Sequence, residues 1–284
     1  MNTKADLQNF KPKKEYFIGI DSDGTVFDSM NIKHIKSMCP AALEIWDIDG
    51  NRGEFEKIWY NYNLYSADRG SNRFLGLLYA FEQMIKITDK PPAADISPLQ
   101  QFVKNNQVLS NDTLRAWMRE NPSPLLDDVM RWSERSDELF DEYTHGILPY
   151  NTVKTTFEIM AEKADIMAVS SASGKGLDKD WGFSGLLDYI VLLAGQEIGS
   201  KKTQLQTAAS GKYPCRKILM IGDAPGDLDA ARSIDALFFP IMPGSEEESW
   251  TLLKDEALPR FFGNGYHGGY EAELVSKFKG LLNE

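Results

Sequence analysis

Short apolar runs bounded by polar or turn-forming residues punctuate the two ends of the chain. They read "YFIGI" (16–20), "ADIMAV" (164–169), "KILMIG" (217–222) and "ALFFPI" (236–241). Runs this brief, apolar at nearly every position, predict strands of a parallel sheet buried on both faces. Between them, residues 152–163, 202–210 and the stretch after "GDAPGDLDAARS" carry apolar positions at helical spacing. Alternating strand and helix predicts an α/β fold with a doubly wound, Rossmann-like parallel sheet. Residues 30–145 break that alternation. "GEFEKIWYNYNLYS", "NRFLGLLYAFEQMIK" and "LLDDVMRWSERSDELFDEY" all have helical spacing, with prolines at 91, 92, 98, 122 and 124 between them. The expected organisation is a core made of residues 1–29 and 146–284, interrupted by an all-helical insertion over 30–145. "THGILPYN" (144–151) is the return linker.

Composition narrows the partners. A formal charge of −11 disfavours broad contact with a nucleic-acid backbone, which calls for a basic face. It leaves room for a small anionic ligand whose charge is met locally by a cation. No apolar run approaches the roughly 20 residues that span a bilayer, and the first 16 residues lack the apolar stretch of a secretory signal. Cys39 and Cys215 stand alone, without metal-type spacing, so a reduced, cytoplasmic protein is expected. Oligomeric state is not legible.

The chemistry concentrates in "EYFIGIDSDGTVFDS" (15–29). Asp21 closes the first strand and Asp23 follows in a turn that Gly24 permits. Carboxylates at the C-terminal edge of a parallel strand face the crevice where α/β sheets bind ligands. Two acids this close repel unless a cation lies between them, and a hard ion such as Mg²⁺ prefers oxygen ligands. A calcium loop starting at Asp21 fails, since Val26 and Ile32 occupy the positions that need Gly and Glu. "DIDGNRGEFEKI" (47–58) fails likewise and follows no strand; it reads as a turn with solvated acids. "GQEIGSKKT" (195–203) imitates a P-loop, but Ser200 stands where the second Gly is required. A second acidic cluster does follow a strand: Asp223 after "KILMIG", then Asp227 beyond Gly226. Acids from two strand ends can converge on one metal. Asp227 and Asp229 can also cap the next helix, and the two roles are compatible.

In order along the chain, "DSDGTV", "IMAVSS", "GSKKTQL" and "GDAPGD" resemble the four motifs of the haloacid dehalogenase-like (HAD) superfamily, and the helical insertion matches the place of its C1-type cap. The resemblance implies an aspartyl-phosphate mechanism. Asp21 would be the nucleophile and Asp23 the acid and base, an acid whose presence speaks for phosphatase or phosphomutase chemistry rather than dehalogenation. Mg²⁺ would be held by Asp21, the Asp23 main-chain carbonyl and Asp223, with Asp227 close by. A serine after the second strand, Ser170 or else Ser171, would donate to a phosphoryl oxygen, and Thr25 belongs to the same substrate-binding set. Lys201 or Lys202 would neutralise charge, Lys201 being favoured by Leu205 four residues on.

Within the insertion, Arg69, Asn72 and Arg73 around Gly70 are candidate substrate contacts, because arginine can hold two oxygens of a phosphate or carboxylate. The competing reading pairs the arginines with acids such as Glu54 or Glu82. Trp46, Trp59, Tyr60, Tyr62 and Tyr65 read as packing residues. The resulting expectation is a phosphatase acting on a small phosphorylated metabolite. A sugar phosphomutase uses the same intermediate, and a phosphoryl-accepting module without turnover is the rival of another class.

Overall fold

The computed structural model describes residues 1–283. Two compact units emerge: Met1–Met30 together with the chain from Gly146 onward, and Asn31–His145. The first contains a five-stranded sheet, with β1 Tyr16–Ile20, β2 Ala164–Val169, β3 Ile190–Ala194, β4 Ile218–Gly222 and β5 Leu237–Pro240. The order is β3-β2-β1-β4-β5 and every pairing is parallel.

The four apolar runs are strands, within a residue at each end. The exception is β3, "IVLLA", which the hydrophobic pattern had not singled out. Its first two residues are only half-buried, which suits an edge.

Side chains alternate across the sheet as a period of two requires. Tyr16, Ile18, Ile20, Ile166, Ala168, Leu219, Ile221 and Phe239 enter one core, where they meet Phe157, Trp181 and Trp250. Phe17, Met167, Val169, Ile218, Met220 and Phe238 enter the other, against Leu205, Ala208, Leu228 and Phe278. Helices Val153–Lys163 and Gly174–Ser184 serve the first face. Helices Lys201–Ala209, Pro225–Arg232 and Gly269–Leu281 serve the second. Burial on both faces is the condition under which a parallel sheet is stable.

The second unit, taken by itself, is helical throughout its described secondary structure. Arg52–Leu64, Arg73–Ile87, Ser97–Asn105, Asn111–Glu120 and Pro124–Tyr143 are its main helices. Trp59, Phe74, Phe81, Phe102 and Trp132 fill its core, and the Trp132 indole N–H donates to the Met38 carbonyl at 2.9 Å. Trp59 is fully buried and Tyr62 stacks on Tyr79 with ring centres 4.1 Å apart, as expected of packing residues, whereas Tyr65 is exposed.

The glycine-rich segment 263–269 gains a purpose in the structure. It delivers Tyr266 and Glu271 to the outer edge of β5. The Tyr266 hydroxyl donates to the Phe238 carbonyl at 2.7 Å, and Glu271 accepts the Phe238 N–H at 2.9 Å. Unpaired edge groups invite association with other strands, and here side chains occupy them. Tyr266→Phe would leave a buried carbonyl without its donor. The expected loss is about 1–3 kcal/mol of unfolding free energy, measured by urea titration. No measurable loss would mean the edge is satisfied in another way.

Candidate active site at the ends of β1 and β4

Asp21 is the first residue past β1, yet its N–H still donates to the Ile221 carbonyl of β4 at 2.9 Å. That bond sets the ends of the two central strands side by side, so Asp21 and Asp223 emerge as neighbours. The chain then turns sharply. Gly24 has φ of 76°, in the region glycine favours, and Val26 N–H returns to the Ser22 carbonyl at 3.0 Å. Two buried indoles fix this turn from below. Trp181 donates to the Ser22 hydroxyl oxygen at 3.0 Å, and Trp250 to the Thr25 carbonyl at 2.7 Å. Asp23, half-buried on the turn, accepts a hydrogen bond from the Ser29 hydroxyl.

Asp21, Asp223 and Asp227 are all buried, and one oxygen from each lies within 4.8 Å of the others. Lys201 enters this cluster with its ammonium 2.8 Å from Asp21 Oδ1 and 2.7 Å from Asp227 Oδ1. Asp227 also accepts the Ala224 N–H at 3.1 Å, so it caps its helix and joins the cluster at once. Thr25 donates its hydroxyl to Asp223 Oδ1 at 3.0 Å. Gly222 is required by this crowding: a Cβ there would lie 2.3 Å from the Asp227 carboxyl carbon.

The electrostatics are unbalanced. Three carboxylates surround one ammonium, and two unit charges about 4 Å apart interact by about 4 kcal/mol at a near-surface dielectric of about 20. Burial pushes Asp21 well above the usual carboxylate range; Lys201 opposes that, while Asp227 and Asp223 reinforce it. Burial raises Asp227 in the same way, against the pull of Lys201. Burial alone would lower Lys201, but the carboxylates of Asp21 and Asp227 override it and hold the ammonium more firmly protonated than in water. An all-oxygen donor set with surplus negative charge fits a hard divalent cation.

The alternatives at the lysine pair and the serine pair differ in burial. Lys201 is the first residue of its helix, where Ser200 caps by accepting the Thr203 N–H; Lys202 next to it is exposed. Ser170 is buried directly after β2, and Ser171 is exposed. Asp21, Asp23, Thr25, Ser170, Lys201, Asp223 and Asp227 all lie at the C-terminal ends of strands in the first unit or in the segments that follow them.

Arg69, Asn72 and Arg73 belong to the second unit and carry internal bonds there. Arg69 is buried and donates to the Leu64 carbonyl at 2.9 Å. Asn72 caps its helix through the Phe74 N–H. Arg73 pairs with Asp137 at 2.7 Å and donates to Ser133. The arginine–acid pairing is thus present for Arg73, but with Asp137 in place of Glu54 or Glu82. The residues whose roles the motifs did not bring forward are Ser29, Trp181, Trp250 and Gln204. Ser29 and Gln204 lie inside the quoted stretches 15–29 and "GSKKTQL", but nothing there marks their partners; Trp181 and Trp250 lie outside every motif.

No family model matches the chain, and no curated protein matches it in sequence. Solved structures do resemble it. A predicted phosphoglycolate phosphatase from Haemophilus somnus is 15% identical with a TM-score of 0.49, over 81% of this chain and 86% of its own. A putative phosphoglycolate phosphatase from Lactobacillus delbrueckii subsp. bulgaricus is 14% identical with a TM-score of 0.47, over 79% and 85%. A HAD-superfamily hydrolase of subfamily IA from Geobacter sulfurreducens is 11% identical with a TM-score of 0.41, over 80% and 88%. With so few residues shared, the chemistry has to come from the site's own groups.

The surplus charge makes a prediction of unusual sign. Asp223→Asn should raise the melting temperature of the metal-free protein, because it relieves repulsion among buried carboxylates. A divalent cation should raise the melting temperature of the parent protein, and Asp223→Asn should abolish that rise. Thermal melts with and without chelator read both effects.

Proposed function

We propose that the chain is a Mg²⁺-dependent phosphohydrolase of the haloacid dehalogenase-like superfamily, which hydrolyses a small phosphate monoester through an aspartyl-phosphate on Asp21. The observation that carries this is the buried Asp21 carboxylate with the Lys201 ammonium 2.8 Å away, beside Asp223 and Asp227. A nucleophilic carboxylate must be approached by an anionic substrate, so the site has to supply positive charge and exclude water around the reacting oxygen.

Each residue then has a definable task. An Asp21 oxygen attacks phosphorus while the ester P–O bond breaks. The departing oxygen takes the proton of the Asp23 carboxyl group. In the second half, water attacks phosphorus and gives its proton to the Asp23 carboxylate. The P–O bond to Asp21 breaks, releasing inorganic phosphate and restoring both acids. Splitting one displacement in two is the gain of covalent catalysis, and Asp23 acts in both halves because it is only half-buried and two residues from the nucleophile. Lys201 offsets charge on the Asp21 carboxylate and the phosphoryl group. The Ser170 hydroxyl donates to a phosphoryl oxygen. Asp21, Asp223, the Asp23 main-chain carbonyl and the adjacent Asp227 would hold Mg²⁺, which would supply the charge that lets two anions meet.

The free cysteines, buried Cys39 and exposed Cys215, fit a reducing compartment, and we place the protein in the cytoplasm. Among the described residues no helix is long and apolar enough to cross a membrane.

The purified protein should release phosphate from 4-nitrophenyl phosphate with Mg²⁺ and stop when the ion is chelated. Asp21→Asn should lower kcat by on the order of 10⁴-fold or more while its circular dichroism is unchanged. Undiminished turnover in that variant would remove Asp21 from the role of nucleophile.

A further inference from the structure

Gln204 is fully buried on the helix that starts at Lys201. A primary amide in such a place is costly unless its hydrogen-bonding groups are met. Here they are, and by main chain from outside its own helix. Its Nε2 lies 2.8 Å from the Ser170 carbonyl, 3.0 Å from that of Gly195 and 3.0 Å from that of Gly199. Two N–H protons are therefore shared among three acceptors. Its Oε1 accepts the Ser170 N–H at 3.2 Å, a proton that Ser170 shares with the Ala194 carbonyl at 3.1 Å.

The placement has a specific geometry. The β2–β3 ladder ends at the pair Val169 and Ala194, so Ser170 lies just beyond regular pairing. Gln204 meets both the N–H and the C=O of Ser170, as an adjacent strand would, and so extends the ladder by one residue with a side chain. The Ser170 hydroxyl oxygen in turn accepts the Ala172 N–H at 3.0 Å, which orients it and leaves its own O–H as a donor. The other end of the clamp grips Gly195 and Gly199, which bracket a single turn of 3₁₀ helix (Gln196–Ile198). That turn runs through the cap residue Ser200 directly into Lys201. One amide thus ties the peptide bearing the Ser170 hydroxyl to the turn that presents the Lys201 ammonium.

We propose that Gln204 is a positioning residue that fixes the spacing between the Ser170 hydroxyl and the Lys201 ammonium, the two groups that hold the phosphoryl oxygens in the transition state. This rests on the phosphohydrolase reading above. A group whose bonds all served general stability would not need to address these two segments and no others. Misplacement of catalytic groups by about 1 Å is worth on the order of 10²-fold in rate.

The test compares Gln204→Met, of similar length without polar atoms, and Gln204→Glu, of the same shape but with oxygen facing three carbonyl oxygens. For folded protein, kcat with 4-nitrophenyl phosphate should fall about 10- to 100-fold in either variant, with KM changed less than about threefold. Inhibition by vanadate, a mimic of the five-coordinate phosphoryl group, should weaken by the same factor as kcat/KM. Inhibition by inorganic phosphate should hardly move. Amide hydrogen exchange at Ser170 and across residues 195–201 should quicken in Gln204→Met, while amides of β5 stay as they were. Should Gln204→Met not fold, Gln204→Asn, which keeps the amide but withdraws it by one methylene, serves the same comparison.

Activity lost only in proportion to unfolded protein, or equal weakening of vanadate and phosphate, would overturn the positioning role. Unchanged exchange at Ser170 and 195–201 would overturn the clamp, whatever the activity. Absence of phosphate release from the parent protein with Mg²⁺ would instead strike the phosphohydrolase reading, and the exchange measurement would still judge Gln204.

Discussion

Three carboxylates share one buried space with one ammonium, and this is the arrangement the first unit is built to sustain. Left to relax, the carboxylates of Asp21, Asp223 and Asp227 would move apart. The fold prevents this by fixing their main chains. Asp21 remains in the sheet through its bond to Ile221, Asp223 follows the strand alongside, and Asp227 is held by its own helix cap over Gly222. Lys201 relieves part of the repulsion, since it bonds Asp21 and Asp227 together. Among the described residues, the three carboxylates of this cluster share the one Lys201 ammonium. A site strained in this way is characteristic of function, because stability alone would favour fewer acids.

The supporting residues follow from that strain. The turn that carries Asp23 is tied to two indoles buried in the sheet's first core, so hydrophobic packing of Trp181 and Trp250 is converted into the placement of a polar loop. A tryptophan can do this because its body is apolar and its one N–H demands a partner when buried. On the other face, the helix that packs Leu205 and Ala208 against the sheet also presents Lys201 from its first turn. Core packing and site geometry are one construction here, not two.

How much of this the sequence disclosed follows from the range of each signal. Strands β1, β2, β4 and β5 were legible because burial on both faces writes itself as a nearly unbroken apolar run ending near Asp, Ser or Pro. β3 was not: "IVLLA" is as long as β1, but its first two residues are only half-buried, so it lacks the burial on both faces that marks the others. The acids at 21, 23, 223 and 227 stood out since charge directly after a buried strand is rare without a use. Whether Lys201 or Lys202 faces the acids depends on where the helix begins, and Ser200 decides that through a cap a single residue wide. Arg73 shows the opposite limit. Its residue type announced a partner, but Asp137 lies on a different helix and nothing local points to it.

The same limit explains the largest gap between motif and site. A motif records residues that touch the reacting atoms, and those must be of particular chemical types at particular strand ends. The groups that orient them need only a hydrogen-bonding atom in the right place, and almost any fold segment can supply one. Ser29 reaches Asp23 from six residues downstream, while Trp181 and Trp250 reach the same turn from more than 150 residues away. Such contacts have no fixed spacing and no fixed residue type, so sequence alone cannot nominate them. They become visible once folding has turned distance along the chain into contact, and it is at this level that one enzyme of a given chemistry comes to differ from another.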